Sequence, residues 1–451
     1  MNEHPIVEYY RCPQALLDFS VAGPLKESEG YFCFGQDLIC YGHTSGYSCP
    51  TVNRSLFDAS EHICRHEHTS CLPFDPAQVV NNMRYERYID QSSQRRWLEK
   101  AWIKNIYYLL RPMFPVPLRK HFQQLYLRGW ETLPFPTWPV DYSVDRLFAK
   151  LLVLAIQTLH TDRIPFIWFW PDGHTACAIV THDVETTAGR DFTDHLMDID
   201  DAYGIKASFQ IVPEKRYTVS LAYLDTMRER GFEINVQGLD HDGWLFRNEE
   251  EFRRSAQQIN HYAKQFGALG FRSPIMYRNV DWFKYLCFSY DMSVPNVAHM
   301  EPQRGGCCTI MPYFLPDGML ELPLTMIQDY SLFHILKEYS LALWRQQIRI
   351  VLDGHGLMSF IIHPDYVIEN RAQSVYKALL EEINRLRADH GVWVALPREV
   401  DRWWRERSEM KLVADGAGWR IEGSGSGRAR LAYARLEGDQ VVYEIDSHRS
   451  I

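Results

Sequence analysis

The sequence predicts an α/β protein, a distorted (β/α)7-8 barrel with an N-terminal mixed α/β region and a small C-terminal all-β appendage. Three observations predict it. Short apolar runs alternate with amphipathic helical stretches over about 172–407. The strand-like runs number seven or eight, which favours a barrel over a wound sheet. After "DRWWRERSEM" the composition changes to β-like runs separated by glycine-rich turns. The implied divisions are 1–170, 171–408 and 409–451.

Residues 1–95 read as mixed, with turns and strand-like pieces such as "YFCFGQDLICYG". "RRWLEKAWIKNIYYLLRP" has apolar residues at helical spacing and stops at Pro112. A second helix is expected over "PLRKHFQQLYLRGW". Its basic and aromatic residues could suit a membrane surface, but packing against its own domain is the blander account. "FPTWPVD" reads as a linker, and "DRLFAKLLVLAIQTLH" as the next helix. The barrel strands follow as "TACAIVTHD", "KASFQIV", "FEINVQ", "LGFRSP", "CFSYDMSV", "MLELPL", "LMSFIIHP" and "VWVAL".

The chain has 451 residues, 46% of them hydrophobic, enough for two or three domains with a sizeable core. Its net charge of −9 argues against a general nucleic-acid or anionic-membrane binder. The N-terminus lacks a basic region followed by an apolar one, and no run is long enough to span a bilayer. The ten cysteines are then expected as free thiols in a cytoplasmic protein. "EHICRHEHTSC" gathers His62, Cys64, His66, His68 and Cys71 without a Cys-x-x-Cys knuckle, so it reads as a polar loop rather than a zinc site. Cys307 and Cys308 read as a turn.

The ends of the apolar runs carry the chemistry. "AIVTHDVE" puts Asp183 and Glu185 on one face of a strand and His182 on the other. Two carboxylates so placed need a cation beside them: a metal, with one acid ligating it and the other acting as base. The alternative is that they cap the next helix or pair with arginine. In "VQGLDH", Gln237 and His241 are four apart and could face one point, an imidazole ligand beside a weaker amide-oxygen ligand. "GFRSP" ends in Arg272, whose guanidinium would hold Asp183 ionised and fix its direction. "FIIHPDY" ends in His363, a candidate proton donor. His182 is expected to be a hydrogen-bonded support.

In this order these segments resemble the polysaccharide deacetylase family, the NodB-homology carbohydrate esterases, over roughly 172–400. The wider layout ("PLRKH", "TWPVD", "WPDGHTACAIVTHDVE", a β tail) is similar to a bacterial branch of it. The resemblance implies a distorted β/α barrel and metal-dependent removal of an N- or O-linked acetyl group from a carbohydrate. It makes Asp183 the base, Glu185 and His241 metal ligands, Arg272 the partner of the base and His363 the general acid. Gln237 stands where the family's first ligand histidine would be, and Val184 stands beside the base. Asp291 in "YDMSVPN" falls at the fourth motif without its Asp-Trp ending. The implied cofactor is a divalent metal, zinc first, with cobalt and manganese as alternatives. The rival readings are a deacetylase-like fold that binds a glycan without cutting it, and a hydrolase of C–N bonds in a small amide or cyclic ureide.

Overall fold

The computed structural model describes residues 4–17, 19–65, 69–89, 129–416 and 418–446. The helices expected over 96–112 and 117–130 fall almost wholly outside these residues, as do His66 and His68. The chain forms two compact units. One gathers 1–88, 141–175 and 402–451; the other contains 89–140 and 176–401. No helix among the described residues is long and apolar enough to cross a membrane.

In the second unit, all eight expected apolar runs become strands. They are β1 (Cys177–Val184), β2 (Ser208–Ile211), β3 (Glu233–Gln237), β4 (Gly270–Arg272), β5 (Tyr290–Asp291), β7 (Leu320–Glu321), β8 (Leu357–Ile362) and β9 (Trp393–Val394). A ninth, β6 (Tyr313–Phe314), pairs antiparallel with β7 and has no counterpart in the sequence reading. The sheet runs β6-β7-β5-β4-β3-β2-β1-β8, with β9 on the start of β1, and every pairing except β6–β7 is parallel. Parallel strands covered on both faces read as unbroken apolar runs, as β1 does with eight buried residues in a row.

The helices of this unit have clear start and stop signals. In α1 (Thr187–Ala202) the Thr186 hydroxyl accepts from Gly189 N–H, and Asn248 caps α3 (Glu249–Phe266) in the same way, α2 (Leu221–Glu229) lying between them. Gly267 ends α3 at φ 59°, a left-handed conformation that costs glycine little. Two further helices, α4 (Ala342–Asp353) and α5 (Asn370–His390), precede and follow β8.

The curled sheet does not close into a full barrel by strand pairing among the described residues, since β6 and β8 are its two ends. A side chain spans part of the gap. The Thr325 hydroxyl donates to Leu357 O at 2.6 Å and accepts from Ser359 N–H at 3.0 Å. These are β8 groups, and Thr325 follows β7 in the chain. A hydroxyl with one donor and two acceptor lone pairs can serve both.

In the expected all-β tail, Lys411–Asp415 and Gly418–Glu422 form a two-stranded antiparallel sheet of their own, and the rest joins a strand from earlier in the chain. Leu431–Glu437 and Gln440–Ile445 form a hairpin whose first strand pairs antiparallel with Arg163–Ile167. The edge of one segment thus needs the edge of another far away in sequence, which local pattern does not display. In the same unit, buried Arg407 donates to the carbonyls of Trp168, Tyr9 and Ile167 at 2.9, 2.8 and 2.7 Å. All ten cysteines are free, and Cys307 and Cys308 are buried in a segment without regular structure, not in the expected turn, with Cys308 at φ 55°.

Candidate active site

The sheet register sets the ends of its strands at one level. Asp183 pairs with Gln210, Gln237 with Arg272, Asp291 with Glu321 and His182 with Ile362, the residue before His363. Five of the six expected site residues therefore converge with their polar atoms in contact. The Gln237 amide nitrogen donates to Asp183 Oδ2 at 3.2 Å and to Glu185 Oε1 at 2.9 Å. His241 Nε2 lies 2.7 Å and His363 Nε2 3.5 Å from the same Glu185 oxygen. Asp183 is fully buried, and the Glu185 side chain is 18% exposed.

Arg272 is the sixth, and it does not grip the base. Its Nη2 donates to Thr181 Oγ1 at 3.0 Å, while Nε and Nη1 have no hydrogen-bond partner among the described residues. It acts on Asp183 by charge alone. Burial pushes the Asp183 carboxyl up, and the charges of Arg272 and His363 only partly offset that push. Glu185 goes the other way: burial raises it, but the imidazoles of His241 and His363 outweigh burial and hold it well below the usual carboxylate range. The two acids are thus pulled apart, Glu185 held ionised and Asp183 made the more readily protonated of the pair.

Sequence reasoning missed three residues of the site. Asp329 takes His363 by two contacts, Nδ1 at 2.6 Å and the backbone N–H at 2.7 Å. Burial lowers the His363 pKa, but the charges of Asp329 and Glu185 prevail and raise it well above the ordinary imidazole value. Glu321 lies beside Asp291, pushed well up by burial and by the Asp291 charge, while Ser293 N–H and Oγ–H donate to Asp291 at 2.9 and 2.6 Å. Arg216 donates to His241 O at 2.7 Å and lies 3.2 Å from its Nδ1. "MIQDY" and "PEKRY" show no periodicity that would single out Asp329 or Arg216; only "LELPL", an apolar run broken by an acid, carried a hint of Glu321. His182 is a support: its Nε2 meets Asp200 Oδ2 at 2.9 Å and its Nδ1 faces Ile362 O at 3.3 Å.

The donor chemistry fits a divalent cation at the carboxylate pair. Candidate ligand atoms of Asp183, Glu185 and His363 all lie within 4.8 Å of one another. Asp183 Oδ1, a buried anionic acceptor, has no hydrogen-bond partner among the described residues. Gln237 was expected to offer its amide oxygen; instead its N–H faces the two carboxylates and the oxygen points elsewhere without a partner. Between two acids, an amide is stable only with its donor end forward.

No family model matches the chain, and no curated protein matches it. Among solved structures, a candidate polysaccharide deacetylase from Mycobacterium smegmatis is 18% identical over 56% of this chain and 98% of that one, with a TM-score of 0.43. A family 4 acetyl xylan esterase from Clostridium thermocellum, in complex with a cobalt ion, is 13% identical over 50% and 91%, with a TM-score of 0.32. A CE4 family pseudoenzyme from Bacillus anthracis is 13% identical over 51% and 66%, with a TM-score of 0.33. Among the solved structures to which this chain is similar are thus a candidate polysaccharide deacetylase, a family 4 acetyl xylan esterase and a CE4 family pseudoenzyme.

Proposed function

We propose that the protein hydrolyses an acetyl group, N- or O-linked, from a carbohydrate. The observation that carries this reading is the pair Asp183 and His363, a buried acid with a raised pKa and an imidazole held protonated by Asp329, clustered with Glu185. Such a pair can remove one proton and supply another. Asp183 takes a proton from water, whose oxygen bonds to the acyl carbon. His363 gives its Nε2 proton to the departing nitrogen or oxygen as the carbon–heteroatom bond breaks, releasing acetate and a free amine or hydroxyl. Glu185, with the Asp183 carboxylate within reach, would hold a divalent cation. When bound, that ion supplies positive charge for the developing oxyanion and acidifies water.

The carbohydrate comes from the sequence resemblance, and the rim is compatible with it. The Tyr366 ring lies 4.7 Å from His363 and 5.7 Å from Tyr330, all measured between centroids. Half-buried aromatic faces with polar tips suit a sugar's mixed surface. The test is a screen for acetate release from N- and O-acetylated sugars, with metal analysis of the purified protein. Acetate release from at least one sugar supports the reading, and none from any overturns it. One observation favours glycan binding without hydrolysis: the Gln237 N–H already compensates both carboxylates. Saturable sugar binding with no acetate release, with or without added zinc, would establish that reading instead.

A further inference from the structure

We propose that His241 is a hydrogen-bond donor to the reacting carbonyl rather than a metal ligand, and that Arg216 is the positioning residue that makes it so. This deepens the hydrolase reading and rests on it.

The argument begins with what a guanidinium can do. Arginine has five N–H donors and no acceptor. Arg216 Nη2 is anchored on His241 O at 2.7 Å and meets Nδ1 of the same residue at 3.2 Å. The nitrogen that faces it must present a lone pair. A neutral imidazole with its lone pair on Nδ1 carries its hydrogen on Nε2. A protonated Nε2 cannot bind a metal, which takes the deprotonated nitrogen.

The Nε2–H then needs an acceptor. Glu185 Oε1 is 2.7 Å away, yet Nε2 has no aligned hydrogen-bond partner among the described residues, so the carboxylate lies off the N–H axis. His241 is 4% exposed, and a buried donor with no aligned acceptor is costly unless a ligand supplies one. His241 also sits at φ 54°, a left-handed conformation disfavoured for a residue with a Cβ, and the Arg216–His241 O bond helps to hold it there. Gln237, four residues earlier, turns its N–H toward the same carboxylates. Two of the three residues expected as ligands thus offer hydrogens. A neutral imidazole N–H aimed at a carbonyl oxygen is a known way to polarise it, and a preorganised donor there acts most strongly on the oxyanion.

Nitrogen NMR of the full chain, carrying isotope-labelled histidine and with the signal assigned by its loss in His241→Gln, reads the tautomer directly. The expected result is a protonated Nε2 and an unprotonated Nδ1 in the wild type, with that preference lost in Arg216→Met. Calorimetric titration with zinc chloride alone is the second readout: His241→Gln should bind zinc as the wild type does. In acetate release, His241→Ala should lose about 10²-fold in kcat, and His241→Gln, which keeps an N–H, should recover part of it. A protonated Nδ1 with a bare Nε2 overturns the proposal. So does zinc affinity that falls by about 10²-fold or more in His241→Gln. If the wild type releases no acetate from any sugar, the hydrolase reading falls, and the catalytic donor role with it; the tautomer and the zinc titration still decide whether His241 ligates.

Discussion

Asp329 holds His363 twice, through the imidazole Nδ1 at 2.6 Å and through the backbone N–H at 2.7 Å. One fully buried carboxylate thereby fixes both the ring and the peptide from which the ring projects. The ring cannot turn without losing its Nδ1–H acceptor, so Nε2 stays toward Glu185. The arrangement is that of a carboxylate that orients an imidazole and stabilises its protonated form.

Asp329→Asn should remove most of the upward shift at His363. Burial, which lowers the imidazole pKa, would then meet only the Glu185 charge. The alkaline limb of kcat against pH should move to lower pH in the variant, with a lower plateau. The stability sign follows from the same shift. The wild-type pKa is above that of the unfolded chain, so His363 stabilises the fold fully at low pH and progressively less as pH rises from the ordinary imidazole range through the folded value. Asp329→Asn should flatten that dependence. Identical pH profiles for wild type and variant would remove Asp329 from the account.

Asp183→Asn keeps the shape of the side chain and abolishes its capacity to take up a proton. Acetate release should drop by about 10²–10⁴-fold, while calorimetric zinc binding largely persists. In the wild type, burial raises the Asp183 pKa, so the base is ionised only as pH climbs through that raised value. The acid limb of kcat should lie at higher pH than an ordinary exposed aspartate would give. A variant that turns over at the wild-type rate would leave Asp183 without a catalytic role.

Much of this site was legible in the sequence because an apolar run that stops at ionisable residues can be read locally. Asp183, Glu185, Gln237 and His363 all lie at such stops, and the parallel register carries them to one level. What could not be read was direction. The spacing of Gln237 and His241 brings them to the same carboxylates, but which end of an amide or which nitrogen of a ring faces them depends on partners elsewhere. Arg216 comes from a loop 25 residues before His241, and Asp329 from 34 residues before His363. Arg216 lies in no regular element, and Asp329 stands at the very start of a short helical segment that runs on through Ser331–Leu336. The pairing of the C-terminal hairpin with Arg163–Ile167 was hidden for the same reason, a contact between edges that no local pattern records.

Gln237→Leu tests the neutral bridge between the acids. Its N–H donates to both Asp183 and Glu185. Leucine removes the donor and leaves two carboxylates facing each other, both largely removed from water. The variant should lose about 1–3 kcal/mol of stability, the cost of an unsatisfied buried polar group. The loss should be larger at neutral pH than at low pH, where Asp183, the acid with the raised pKa, is protonated and no longer repels Glu185. Urea denaturation at both pH values measures it, and equal stability of variant and wild type would show that the bridge contributes nothing.

Thr325→Val asks whether one hydroxyl tethers the last strand of the curled sheet. The oxygen donates to Leu357 O and accepts from Ser359 N–H, so it stands where a neighbouring strand's peptide group would be. Valine keeps nearly the same volume and branching, so no cavity opens. Two buried β8 groups, however, lose their partner, and neither can reach water, since Leu357 and Ser359 are fully buried. The expected cost is about 1–3 kcal/mol for each orphaned group, less whatever the backbone recovers by a small shift. Because β8 leads directly into His363, the strain should also reach the site. Amide exchange at Ser359 should speed up more than at β2, which is three strands from the gap along the sheet's hydrogen-bonded path when counted through β1 and β8. Acetate release should fall more through kcat than through KM, as His363 loses its fixed position. Unchanged exchange at Ser359 with unchanged stability would mean that the sheet holds β8 from one side alone.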